Sequence, residues 1–166
     1  MPTTQSYHDG NLYVQGSFSC TTFTPPASCI TNAAIIAAAG IDATKVVHQH
    51  VKSYEQESAT TDVSESRTVH IAYAAGTIVD FRAGNVVAHV GAATTTFDLL
   101  KNGTTVLTGV ISTSSANAAY ALVAGTISSA AYVAGDVLEV RTVATAGGGT
   151  LAKGAFARLV LRENPA

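Results

Sequence analysis

Between residues 94 and 161, short runs of β-branched and apolar residues alternate with turn signals at close intervals. Residues 97–107 predict a strand, an Asn102-Gly103 turn and a second strand, because Asn-Gly takes up the positive backbone angles of a two-residue hairpin turn. Such a turn sets Leu99 opposite Val106 and Asp98 opposite Leu107, so both faces of the hairpin carry apolar groups. Either the pair is covered on both sides, or a bulge near Gly109 changes its register. Residues 137–143 follow Ala134-Gly135-Asp136 and put Leu138, Val140 and Thr142 on one face, Glu139 and Arg141 on the other. Residues 155–161 follow a triple-glycine loop, Gly147 to Gly149, with Leu159 and Leu161 opposed to Arg158 and Arg162.

Upstream, residues 67–73 alternate with Val69, Ile71 and Tyr73 on one face and Thr68, His70 and Ala72 on the other, the pattern of a half-buried strand. Residues 77–82 repeat it with Val79 and Phe81 inward and Asp80 outward, and residues 86–90 continue it. Residues 51–55 form a first strand, residues 57–66 read as a polar loop, and residues 120–123 and 126–127 are shorter strands. Turn spacing implies about eight or nine strands. The prediction is an all-β protein, a jelly-roll-like antiparallel sandwich occupying residues 51–166.

Residues 1–50 read differently, as an arm. Residues 11–20 can form a strand through Leu12, Val14 and Phe18, though Gly16 interrupts it. Pro25 and Pro26 then force an extended segment. A short helix follows, with Thr31 as N-cap, residues 33–39 as body and Gly40 as stop. Ile30, Ile35, Ile36 and Ile41 are its few large apolar groups, and a helix this short is marginal alone in water. It must dock on its own sandwich, a neighbouring subunit or something larger, which makes Leu12, Val14, Phe18, Ile35 and Ile36 the candidate docking residues.

Composition narrows the function classes. The 166 residues suit one domain with an appendage. Charged residues make up 12%, against roughly 25% in ordinary soluble proteins, so small uncharged side chains cover much of the surface, a sign that it is buried between subunits or against a partner. A net charge of -2 without a basic run argues against nucleic acid. No stretch approaches the ~20 apolar residues of a membrane span, and the polar N-terminus lacks the pattern of a secretory signal. Cys20 and Cys29 either pair or remain free thiols.

Candidate chemistry is sparse. His48 and His50 point the same way if extended, so two imidazoles could share a metal, with three copies near a trimer axis supplying more ligands; the plainer reading is a solvent-facing or hydrogen-bonded pair. His70 and His89 read as strand positions on a polar face. Asp98, Asp136 and Glu139 admit a calcium reading, although Asp136 after Gly135 is more simply a turn residue. Glu55, Glu57, Asp62 and Glu65 read as solvated loop carboxylates. There is no nucleophile-elbow, phosphate-loop or zinc-protease motif, so no catalytic residue, no cofactor and no enzymatic activity is expected.

The run TTFDLLKNGTTVLTGV at residues 95–110, AGDVLEV at 134–140 and AFARLVLRE at 155–163 resembles β-sandwich modules of tailed-phage virion proteins, of the capsid-decoration, head-fibre and tail-fibre kinds. The ITNAAIIAAAGIDATKVVHQH segment at residues 30–50 is similar to phage structural proteins as well. The resemblance implies a non-enzymatic, homotrimeric particle protein, made in the host cytoplasm and located in the virion. Its arm would dock on the major capsid protein or neighbouring virion subunits, with no nucleic-acid or membrane partner. Two rivals stand beside a decoration or head-fibre subunit. One is a receptor- or carbohydrate-binding fibre tip, for which Tyr54, Tyr73, Tyr120 and Tyr132 are the available aromatics. The other is a self-polymerising filament subunit that uses N-terminal strand addition.

Overall fold

The computed structural model describes residues 47–164. The expected strand at residues 11–20, the helix at 33–39 and the docking residues Leu12, Val14, Phe18, Ile35 and Ile36 lie outside the described residues.

The described chain is all-β and folds into two antiparallel sheets. Its strands are β1 (His48–Glu55), β2 (Glu65–Ile71), β3 (Gly76–Val87), β4 (Thr94–Lys101), β5 (Thr104–Thr105), β6 (Ile111–Thr113), β7 (Val123–Ala124), β8 (Ala131–Tyr132), β9 (Val137–Thr145) and β10 (Lys153–Glu163). The first sheet runs β1-β10-β3-β7, with β8 also on β3. The second runs β2-β9-β4-β5, with β6 also on β4. β1 begins at His48, three residues before the expected start, because His48, Gln49 and His50 pair with Glu163, Arg162 and Leu161.

Alternation on the two longest pairings builds the core. Leu138 and Val140 on β9, with Phe97 and Leu99 on β4, form one core cluster with Leu159 and Leu161 on β10 and Phe81 on β3, all fully buried. Each such side chain contributes about 1.5–3 kcal/mol of burial free energy.

Two inward assignments change at bulges. Leu159 pairs with Phe81 and Val160 with Asp80, but Leu161 pairs with Ile78, so Val79 is an extra residue in β3. The bulge turns Ile78 and Phe81 both inward and leaves Val79 exposed. A second register shift, between Thr68 and His70 on β2, reverses the expected face downstream. Ile71 and Tyr73 are consequently exposed, while Ala72 is buried and the His70 side chain is nearly so.

The Asn102-Gly103 hairpin forms as the pattern predicts. Lys101 pairs with Thr104 and Leu100 with Thr105, and the two turn residues have φ of 50° and 80°. The Val106 N–H still reaches the Leu99 carbonyl at 2.9 Å. The chain then leaves the ladder, Leu107 bridges to Ile127, and pairing with β4 resumes when Ile111 meets Phe97. This detour buries Val106 and Leu107 together.

Candidate functional site

Three features stand out: a polar network at each end of the sandwich, and a groove on the outer face of the first sheet.

The first network lies where β1 starts and β10 ends. Inward parity on β10 runs Ala157, Leu159, Leu161, Glu163, so the alternation that buries the leucines also carries a carboxylate inside. Its Oε1 is 3.0 Å from His70 Nε2 on β2, and its Oε2 is 3.0 Å from His50 Nε2 on β1. Glu163 accepts, so His70 carries its proton on Nε2. His50 Nε2 is buried but lies off the line a hydrogen bond requires, so its contact with Glu163 is electrostatic. His48 stacks on His50 with ring centres 6.2 Å apart, His50 stacks on His70 at 6.4 Å, and the Tyr132 ring meets His70 edge-on. Burial alone would push the Glu163 carboxyl up. The His70 hydrogen bond, the histidine charges and the Tyr73 N–H outweigh it and hold the group below its ordinary range. The carboxylate thereby ties β10 to β2 across the sandwich and closes on β1.

His48 and His50 are thus brought together as the spacing predicts, but the partner the fold supplies is a carboxylate. Among the described residues no group of three or more His, Cys, Asp or Glu is arranged to hold a metal ion. His70, expected on a polar face, is turned inward by the β2 register shift.

The opposite end holds a second network. Asp62, expected to be solvated, is 2% exposed. Its N–H bonds to the Ala152 carbonyl at 2.9 Å, which draws the loop over the end of the core. Its Oδ2 accepts from Asn85 Nδ2 and from Thr95 Oγ1, the latter at 2.7 Å, while Oδ1 has no hydrogen-bond partner. Thr113 Oγ1 donates to the Thr95 carbonyl at 3.0 Å and accepts from His89 Nε2 at 3.3 Å; His89 Nδ1 accepts the Ala152 N–H at 3.0 Å. His89, also expected on a polar face, is therefore buried within this network. That chain of donors requires its neutral tautomer with the proton on Nε2. Burial pushes the Asp62 carboxyl up against the opposing pull of Thr95 and His89, and burial pushes His89 down against the attraction of Asp62. Beside this network, Tyr54 donates to Glu65 at 2.8 Å and accepts from Gln56 at 2.8 Å, and burial pushes its hydroxyl up to about 12.

The groove, of about 470 Å³, lies over the outward side chains of β1 and β10. Its floor carries Val51, Ser53, Glu55 and Phe156, and Tyr120 and Leu122 form one wall. Residues 120–122, expected in a strand, form a tight connection ahead of β7, and Tyr120 has φ of 61°. Next to the groove Asp80 binds two guanidiniums, Arg158 at 2.8 Å and Arg82 at 3.1 Å.

The remaining candidates separate. Asp98 is buried against Arg141 at 2.9 Å and the Thr105 hydroxyl at 2.6 Å. Asp136 accepts the Val133 N–H and the Asn102 side-chain amide, as a turn residue should. Tyr54 and Tyr132 are core residues, while Tyr73 and Tyr120 are exposed. Sequence reasoning passed over Glu163, although the parity of β10 marks it as inward. Asp62 had no comparable signal, since its Ser/Thr-rich surroundings are those of a solvated loop. No family model matches this chain, and no curated protein matches its sequence. Among the described residues no helix is long and apolar enough to cross a membrane.

Proposed function

We propose that the protein is a non-enzymatic virion structural subunit, a capsid-decoration or head-fibre protein with a jelly-roll body. The strand order carries this reading. If β5 with β6 and β7 with β8 are each taken as one interrupted strand, the sheets become 1-8-3-6 and 2-7-4-5 in chain order, a two-Greek-key jelly roll, an architecture used by viral capsid proteins. In this reading the body forms homotrimers, and the arm, through Leu12, Val14, Phe18, Ile35 and Ile36, docks on the major capsid protein or on neighbouring subunits.

The outer surface supports an assembled state. Away from the groove, Ile71, Val90 and Val133 are each at least 60% exposed and Tyr73 is 83% exposed, in a chain with only 12% charged residues. Contacts between subunits would remove that apolar area from water.

The test is co-sedimentation of full-length protein, and of a form lacking residues 1–45, with particles that lack this component. The reading expects the full-length protein to bind, the truncated form to stay folded and unbound, and native mass measurement to give a trimer. Equal binding by both forms would move the anchor to the sandwich. A monodisperse monomer at micromolar concentration would count against trimerisation.

A further inference from the structure

We infer that the groove on the outer face of the first sheet is a binding site for a neutral saccharide. This goes beyond the virion reading and does not depend on it.

The groove is built by two backbone approaches that tolerate no side chain. At Gly84 on β3, a Cβ would collide with the Ala121 carbonyl oxygen, so the absence of a side chain lets the Tyr120 wall press onto the sheet. At Gly154 on β10, with φ of 66°, a Cβ would lie 2.8 Å from Ser58 Cα, and this seats the opposite wall. Both walls are therefore held in place without a ligand, which lowers the ordering cost of binding.

Tyr120 is the second observation. It is one of two non-glycine residues with positive φ among the described residues, and its N–H is bonded to the Asn85 carbonyl at 2.8 Å. A bulky residue in that conformation is strained, and the strain is maintained at a position where the residue is 69% exposed. Burial does not explain the choice. A flat, pre-positioned aromatic face at the rim of a groove is a platform for stacking.

The polar groups in reach complete the match. The Ser53 hydroxyl, the Glu55 carboxylate and the Ser58 hydroxyl line the groove and bond to no other described residue. Arg158 spends one nitrogen on Asp80 and keeps further N–H donors. The surface thus offers an apolar floor, an aromatic wall and unpaired hydrogen-bonding groups. A sugar ring offers the complement, a face of C–H groups bordered by hydroxyls. Arg82 and Arg158 share the single Asp80 carboxylate, and the Glu55 carboxylate, which bonds to no described side chain, supplies the second negative charge, so the charges at the groove balance, nothing there draws an anion in, and a neutral ligand is favoured.

The experiment is an array of neutral and sialylated oligosaccharides probed with fluorescently labelled full-length protein, followed by calorimetry on the best ligand. Neutral glycans are expected to bind. Tyr120→Gly, which removes the ring and relieves the backbone, should weaken binding by about tenfold or more, Glu55→Gln should weaken it measurably, and Tyr73→Ala should leave it unchanged. Circular dichroism and melting confirm that each variant folds. The inference is overturned if no glycan on the array binds, if sialylated glycans are preferred, or if Tyr120→Gly and Tyr73→Ala behave alike. Because the array reads the groove and co-sedimentation reads the arm, either proposal can fail without the other.

Discussion

The two ends of the sandwich solve the same problem with opposite chemistry. Each must close a core of leucines and phenylalanines against water, and each does so with buried polar side chains. At the β1 start, Glu163 is held ionised by histidines on two other strands, and its carboxyl lies below its ordinary range. At the other end, Asp62 is surrounded by neutral donors, has one oxygen without a partner, and is pushed up by burial. A buried carboxylate is thus stabilised as an anion only where cationic or strongly donating partners face it; neutral hydrogen bonds fill the space without fully replacing water.

The largest expected effect separates removal of the Asp62 hydrogen bonds from removal of its charge. Asp62→Ala leaves Asn85 and Thr95 with buried unpaired donors and should cost about 3 kcal/mol, at about 1–3 kcal/mol for each orphaned group. Asp62→Asn keeps an acceptor and removes the ionisable group, so its urea midpoint should stay near or above that of the parent. A large loss in Asp62→Asn would mean that the charge itself is needed at this end.

Glu163→Gln is the mirror case and should cost about 2 kcal/mol, the scale of a charge-assisted hydrogen bond. Equal effects of Glu163→Gln and Asp62→Asn in urea unfolding would erase the contrast between the ends.

The Asn102-Gly103 turn lies at the Glu163 end and serves as a backbone control. Gly103 has φ of 80°, and a Cβ added there would meet nothing within 4 Å, so Gly103→Val meets no clash at that atom and reports conformational strain. It should cost at least ~1 kcal/mol, read as a lowered melting temperature.

The smallest effects are in pH dependence. For Glu163 the unfolded chain takes up a proton first, so its contribution is complete above the ordinary value of 4.5 and is lost as pH falls through the lower folded value. Glu163→Gln should remove that acid slope. His89 is also pushed down, so its contribution is present above 6.5 and falls as the pH drops below that value; His89→Gln should flatten this part of the profile. Asp62 has the opposite sign. Its raised folded value gives a contribution that is present below 3.8 and lost as pH rises through the folded value, and Asp62→Asn should abolish it. Urea midpoints measured across acid to neutral pH for the three variants separate these slopes.

Local pattern determined a large part of this protein. Strict alternation in β9 and β10 marks Leu138, Val140, Leu159 and Leu161 as inward, and Asn102-Gly103 places its hairpin, because side-chain parity and turn angles are properties of a few neighbouring residues. The all-β, two-sheet architecture follows from the same signals. Tertiary structure decided the rest. Bulges at Val79 and before His70 depend on what the partner strand presents, and each reverses the inward face over the residues beyond it. The pairing of Glu163 with His50 and His70, the burial of Asp62 and the groove beneath Tyr120 join residues distant in sequence. Alternation tells which way a side chain points, but what it meets there is set only when the two sheets are packed together.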